Sequence, residues 1–378
     1  MLGDCKVFKP HMLLSDGLWV IEEPTKERVE ATKAKLTAAG LPIYFESGFS
    51  VVVGGAEVVP DVSGLDGCGA SEDTSIIPVP THSVSFPQIS DKRRRDWAAA
   101  AQTNPTVSAA VAAVSEKSLI SSVEALQKYN SRNSYSATIY EAQAYLAERM
   151  EELGFSVELQ QFRPDMAPNV VATWPIPAEP TEWIVAGAHY DSRGQNSSSP
   201  TDRAPGADDN GSGSSCMLEL ATVVSTTDFP LSRGLKICFF AGEEQGLLGS
   251  QALASAWGEE GKNIAAMVNA DMLGYQAGEK ITLGFKDRSV TPELVALSKQ
   301  LTALYVPGLP TADSSSCCSD YLSFYENGFP SVGFFESGMA ASDYPSYHTD
   351  TDLLVNVNTA QLTLETQAVV ATVLTLAI

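Results

Sequence analysis

The chain has 378 residues, 24 Lys+Arg against 46 Asp+Glu, and a formal net charge of −22. With 44 % hydrophobic and only 19 % charged residues it carries ample material for a buried core, which excludes global disorder. The acidic excess repels phosphate backbones and argues against nucleic acid, and no apolar run reaches the roughly 18 residues of a transmembrane span, so no membrane is expected.

At about 150 residues per domain the length suggests two to three units. Residues 1–60 read as a small β-α-β region and a propeptide candidate. Leu18–Glu22 is strand-like, Pro24–Ala39 is helix-forming with Pro in its first turn and Gly40 at its stop, and Ile43–Val53 is strand-like again. Residues 61–105, rich in Pro, Ser, Gly and Asp, are predicted to be a linker or extended arm. Within them lies Lys92-Arg93-Arg94-Arg95, the only basic run, read either as a solvated patch or as a cut site for a basic-specific processing protease.

Residues 106–378 read as one α/β domain. Val107–Tyr129 and Ile139–Leu153 are predicted helices. Val157–Phe162, Asn169–Thr173 and Trp183–Ala188 are predicted strands, followed by helix Ser212–Ser225 and strand Leu235–Phe240. Helix Leu247–Trp257, strands Ile264–Ala270 and Ile281–Phe285, helices Pro292–Tyr305 and Asp320–Asn327, strand Ser331–Phe335 and a last helix near Thr359–Leu376 complete the order. Several strands are continuous apolar runs, the mark of strands covered on both faces.

Six cysteines are too few for a disulfide scaffold in a chain of this length. Cys216 and Cys238 sit in apolar stretches and read as buried core residues; Cys5 and Cys68 could staple the N-terminal region; Cys317 and Cys318 are adjacent. The first twenty residues lack the basic and long apolar segments of a signal peptide.

Four segments share one grammar, apolar strand sequence beside metal-ligand side chains. They are WIVAGAHYDS with His189 and Asp191, APGADDNGSG with Asp208 and Asp209, LKICFFAGEEQG with Glu243 and Glu244, and IAAMVNADMLGY with Asp271. A fifth segment, YPSYHTDTD, supplies His348. In α/β sheets ligands bind beyond the carboxyl ends of the strands, so these loops are expected to converge on one sheet edge. Nitrogen and carboxylate donors without thiolate suit a catalytic Zn²⁺, and two His with several carboxylates exceed what one four-coordinate ion needs. His11 and His82 fall outside the motifs and read as ordinary.

HYDS, GADDNGSG, FFAGEEQGLLGS, NADMLGY and YHTDTD, in this order, resemble the M28 family of zinc metallopeptidases, closest to the secreted bacterial and fungal leucyl aminopeptidases. The resemblance covers roughly residues 106–378. It implies a three-layer α/β sandwich with a mixed, mostly parallel central sheet and two Zn²⁺ per chain. It implies that His189 and Asp271 bind one zinc, that Glu244 and His348 bind the other, and that Asp209 bridges them, with Asp208 as the neighbour easily mistaken for it. It further implies that Glu243 is the general base, that Asp191 orients His189, and that Tyr347 helps polarise the carbonyl.

The implied reaction is hydrolysis of the N-terminal peptide bond of peptides with a free N-terminus and an apolar first residue, through a two-zinc bridging hydroxide. Met272, Phe335 and Tyr344 are the candidate lining of the first-residue pocket. An M28-type carboxypeptidase, a glutaminyl cyclase or a small-molecule amidohydrolase are the alternatives on the same fold. A secreted monomer is expected. Ser314 stands where family members often have the first Cys of a Cys-x-x-x-Cys pair, so the usual disulfide is absent or rewired. Of two Asn-x-Ser sequons, Asn196 lies in a polar loop, whereas Asn210 lies in the metal loop, where a glycan is not expected.

Overall fold

A computed structural model describes residues 86–378 except 176–179 and 317, and before them the backbone at 18–22, 43–47, 50–54 and 75–78 with helical residues at 30, 33, 34 and 37. The chain forms two compact units, one of Met1–Ala70 with Thr74–Ser83 and one of Ser71–Asp73 with Val84–Ile378. Cys5, Cys68, His11, His82 and most of the helix expected at Pro24–Ala39 lie outside the described residues.

The first unit carries strands β1 (Leu18–Glu22), β2 (Ile43–Ser47), β3 (Ser50–Gly54) and β4 (Ser75–Pro78) in the order β2-β3-β1-β4. All its pairings are antiparallel. The single strand expected at Ile43–Val53 is instead two strands, Ile43–Ser47 and Ser50–Gly54, paired antiparallel.

The 61–105 linker expectation is corrected at both ends. β4 falls within it, and so does helix α1 (Asp91–Ala100), which belongs to the second unit. Ser90 caps α1 by accepting from Arg93 N at 3.2 Å, Trp97 is buried, and Arg93 donates to Ala265 O at 2.9 Å and pairs with Glu182 at 2.7 Å. Ion pairs and one aromatic anchor hold this helix, so it lacks the apolar periodicity that reveals most helices. The basic run is thus helical and part of the packed unit, not the extended segment a processing protease reads.

The Val107–Tyr129 expectation resolves into α2 (Pro105–Ala112) and α3 (Glu116–Leu126), separated where Ser115 caps the second. Then follow α4 (Ile139–Glu152), β5 (Ser156–Gln160), β6 (Asn169–Thr173), β7 (Trp183–His189), α5 (Gly211–Thr227), β8 (Gly234–Phe240), α6 (Leu248–Glu259) and β9 (Ile264–Ala270). The chain ends with β10 (Leu283–Lys286), α7 (Pro292–Tyr305), β11 (Thr311–Ser314), α8 (Tyr321–Glu326), β12 (Ser331–Phe335) and α9 (Thr359–Ala377). The four-residue edge strand β11 has no apolar run to announce it.

These strands form a mixed eight-stranded sheet, β11-β10-β12-β9-β7-β8-β6-β5. The central pairs β7/β8, β7/β9 and β9/β12 are parallel, and β5/β6, β6/β8 and β10/β12 are antiparallel. Continuous apolar strands serve two faces by alternation. Ile184, Ala186, Leu235 and Ile237 join the core with Leu220, Val370 and Leu374, while Val185, Cys238 and Phe240 join a second core with Leu253, Trp257 and Phe324. Helix α9 is long and apolar enough to cross a membrane by length and composition, but 78 % of that stretch is buried inside the unit. Cys216 and Cys238 are buried free thiols, as expected, and Cys318 is disulfide-bonded.

Arg132, in the loop between α3 and α4, is fully buried. Its guanidinium donates to the carbonyls of Tyr190 (2.8 Å), Leu126 (3.2 Å), Gly206 (2.8 Å) and Pro205. Burial pulls its pKa down to about 10, against the raising effect of Asp352, Asp191, Asp209 and Glu244, so it stays charged at neutral pH. One cation thereby ties the start of the β7–α5 loop to its end and to the last residue of α3. Arg132→Met strands these buried carbonyls and is expected to cost about 3 kcal/mol or more, read as a lower urea midpoint; a wild-type midpoint would contradict this role.

Candidate metal centre

The three central parallel strands deliver their carboxyl ends to one edge of the sheet. His189 ends β7, Asp271 directly follows β9, and Glu243-Glu244 stand just beyond β8. Asp209 precedes Asn210, the cap of α5, whose side-chain oxygen accepts from Gly213 N. His348 arrives on the loop between β12 and α9.

The fold brings all five expected donors together, in two groups that share Asp209: His189, Asp209 and Asp271, and Asp209, Glu244 and His348. His189 Nε2 lies 3.4 Å from Asp209 Oδ1 and 3.3 Å from Asp271 Oδ1. His348 Nε2 lies 3.0 Å from Asp209 Oδ2 and 3.2 Å from Glu244 Oε2. Ligands about 2.1 Å from a tetrahedral ion stand about 3.4 Å from each other, so both groups have the spacing of a metal's donor set. Each oxygen of Asp209 faces a different histidine, the disposition of a bridging carboxylate. Among the described residues, buried Glu244 Oε1 has no hydrogen-bond partner. The residues present therefore fit two metal ions.

The electrostatics match. Burial raises the Asp209 pKa, but His189 and His348 outweigh it and hold the carboxyl well below its usual range. Burial lowers the His189 pKa, and Glu243, Asp191, Asp209 and Asp271 more than reverse that. Glu243 is raised well above the ordinary range, first by burial and then by Glu244, Asp271 and Asp320, with His189 opposing. It lines the same cavity as His189, Asp209, Asp271 and His348, where a proton acceptor is required.

Asp191 sits behind His189, with Oδ1 3.4 Å from Nδ1. Its Oδ2 accepts from Ser134 Oγ (3.0 Å), Gly242 N (3.1 Å) and Glu244 N (3.3 Å). Asp191 thus couples the imidazole to the backbone that carries the glutamates. Gly242 makes that turn at φ +73°, which a side chain would strain. Met272 and His348 hold φ of +53° and +55°, left-handed backbone concentrated at the centre.

Asp208 is not a donor of either group. It accepts from Gly274 N at 2.8 Å, and burial raises its pKa to about 6. Asp352 accepts from Asp208 N (2.9 Å) and Asp209 N (3.0 Å) and so orients the shared carboxylate.

Met272, Phe335 and Tyr344 form one apolar cluster with Ala341, but only Met272, Phe335 and Ala341 line the cavity. Tyr344 stands behind them, its hydroxyl donating to Asp352 Oδ1 at 2.8 Å. Tyr347 lines the cavity and stacks on His348 with ring centroids 3.5 Å apart.

Four neighbours escaped the sequence reading: Ser134, Asp352, Arg193, whose Nε donates to Glu244 Oε2 at 2.8 Å, and Lys286. Asp352 lies in the YHTDTD motif and Arg193 follows HYDS, so proximity to a motif was a signal. Ser134 carried none, because its partners are remote in sequence.

The profile described as "Peptidase family M28" matches residues 169–373. A protein named leucine aminopeptidase 1 from Trichophyton equinum is 39 % identical over 198 residues, covering 49 % of this chain and 52 % of that relative. Its namesake from Trichophyton rubrum is 37 % identical over 211 residues, covering 52 % and 55 %. The match thus spans about half the length of these relatives. Among solved structures, the Legionella pneumophila LapA aminopeptidase is similar in fold, with a TM-score of 0.76 at 21 % identity over 96 % of this chain and 98 % of that one. A Fimbriiglobus ruber glutaminyl cyclase is similar with a TM-score of 0.60 at 19 % identity over 69 % of this chain and 95 % of that one.

Asp191→Asn removes the charge behind His189 and is expected to weaken metal binding about 10–100-fold in a chelator competition titration. An unchanged affinity would contradict the orienting role.

Proposed function

This chain belongs to peptidase family M28, and we propose that it is a two-zinc aminopeptidase acting on peptides with a free N-terminus. The observation that carries the reading is the pair of donor groups sharing Asp209 beside Glu243. Donors of nitrogen and oxygen without thiolate favour zinc, held by His189 and Asp271 on one side, Glu244 and His348 on the other, and Asp209 between.

Bound zinc supplies Lewis acidity, which acidifies water and polarises a carbonyl. The remaining work belongs to the chain. Glu243 takes the proton of the attacking water and passes it to the leaving amine. The Tyr347 hydroxyl donates to the carbonyl oxygen as charge develops there. The carboxylate-rich cavity favours a substrate whose N-terminus is cationic, which selects exopeptidase action. Met272, Phe335 and Ala341 form an apolar wall against the first side chain. The relatives named leucine aminopeptidase support that assignment.

A secreted monomer is part of the same reading. The exposed Asn196 sequon would be open to a glycan in a secreted chain, whereas Asn210 is buried as a helix cap.

Glu243→Gln is expected to lower kcat on aminoacyl arylamides about 10²–10⁴-fold while zinc content stays at the wild-type level. Full activity in the variant would overturn the base assignment. Wild-type protein that releases ammonia from N-terminal glutamine but no arylamine would overturn the aminopeptidase reading in favour of a cyclase.

A further inference from the structure

Lys286, the last residue of β10, lines the cavity of the metal centre and is only 3 % exposed. Its neighbours on β10, Leu283 and Phe285, point into the main core. Its Nζ stands 3.6 Å from the centroid of the Phe335 ring, on the wall assigned to the first side chain. Among the described residues no hydrogen bond or ion pair reaches that ammonium, and Asp271, Glu336, Glu243 and Asp209 act on it only through space. Apart from the face of the Phe335 ring, its donors have no partner among the described residues, and burying an unsatisfied charge is costly.

The fold makes room for this lysine. Across the β10–β12 pairing, a Cβ on Gly333 would come within 2.7 Å of Lys286 Cγ and 2.8 Å of Tyr321 Cδ1. Gly333 therefore leaves open the channel through which the stem reaches the cavity. Burial lowers the Lys286 pKa to about 8, and Asp271, Glu336, Glu243 and Asp209 oppose that fall.

The next step rests on the two-zinc aminopeptidase reading. Asp209, Glu243 and Asp271 stand on the metal side of the cavity, and Lys286 is the one lysine or arginine among the described residues that line it. We infer that Lys286 determines first-residue specificity, and that the pocket takes a side chain with an apolar stem ending in a carboxylate, an N-terminal acidic residue. The stem packs on Met272 and Phe335 while the carboxylate accepts from the Lys286 ammonium.

The test compares kcat/KM for glutamyl and leucyl arylamides in the zinc-loaded wild type, Lys286→Met and Lys286→Arg, with calorimetric Kd values for free L-glutamate and L-leucine. The Lys286→Met change should lower the glutamate-to-leucine ratio of kcat/KM about tenfold or more, mainly through KM, the effect of losing one charge-assisted hydrogen bond. Lys286→Arg should keep the ratio within about threefold of wild type, because the cation and its donors survive. A ratio unmoved by Lys286→Met would overturn the inference. If that variant does not fold, the wild type and Lys286→Arg decide, since leucine turnover without any glutamate turnover also overturns it. Absence of release from every arylamide would instead overturn the aminopeptidase reading, and the relative Kd of the two free amino acids would still judge the pocket.

Discussion

Burying like charges is the constraint from which this structure follows. Asp209, Asp271 and Glu243 line one cavity with His189 and His348, and Glu244 stands against Asp209 and His348. Keeping such a set ionised calls for cations, because each buried carboxylate raises the proton affinity of the next. Arg132 answers part of this demand from beneath, binding four backbone carbonyls and facing Asp191, Asp209, Asp352 and Glu244 through space. Metal ions answer the rest. Asp191 and Asp352 then show how the remaining freedom is removed. Each spends its lone pairs on backbone N–H groups of the loops that present the donors.

The parallel arrangement of β7, β8 and β9 makes this possible. Their carboxyl ends share an edge, so His189, Glu243-Glu244 and Asp271 converge without long loops. The apolar alternation on both sides of those strands fixes their register. A slip of one residue would trade the Ile184 face for the Val185 face and turn the donors away.

Most of this centre was legible in the chain itself. Every donor but His348 sits next to an apolar run or a glycine-rich turn, and the five segments keep a recognisable order. The family resemblance told Asp209 from Asp208, and the geometry places Asp208 on Gly274 N instead. What was hidden has a common physical cause. Helix α1 is stabilised by Arg93–Glu182 and Arg94–Glu293 pairs, which depend on residues far away in sequence. Tyr344 looked like pocket lining because it is aromatic and close to His348, but its hydroxyl requires a partner and finds Asp352. Lys286 fell just beyond the expected strand Ile281–Phe285; only the pairing with β12 and the gap at Gly333 direct it to the cavity.

The central claim is that one carboxylate, Asp209, joins two metal sites. Zinc content per chain, measured by plasma mass spectrometry after exhaustive dialysis of wild type and Asp209→Ala, tests it most directly. The account predicts two zinc ions in the wild type and the loss of both from the variant, since each group loses a donor and the two histidines lose their shared counter-charge. A single zinc in the wild type, or full zinc occupancy in Asp209→Ala, would contradict it.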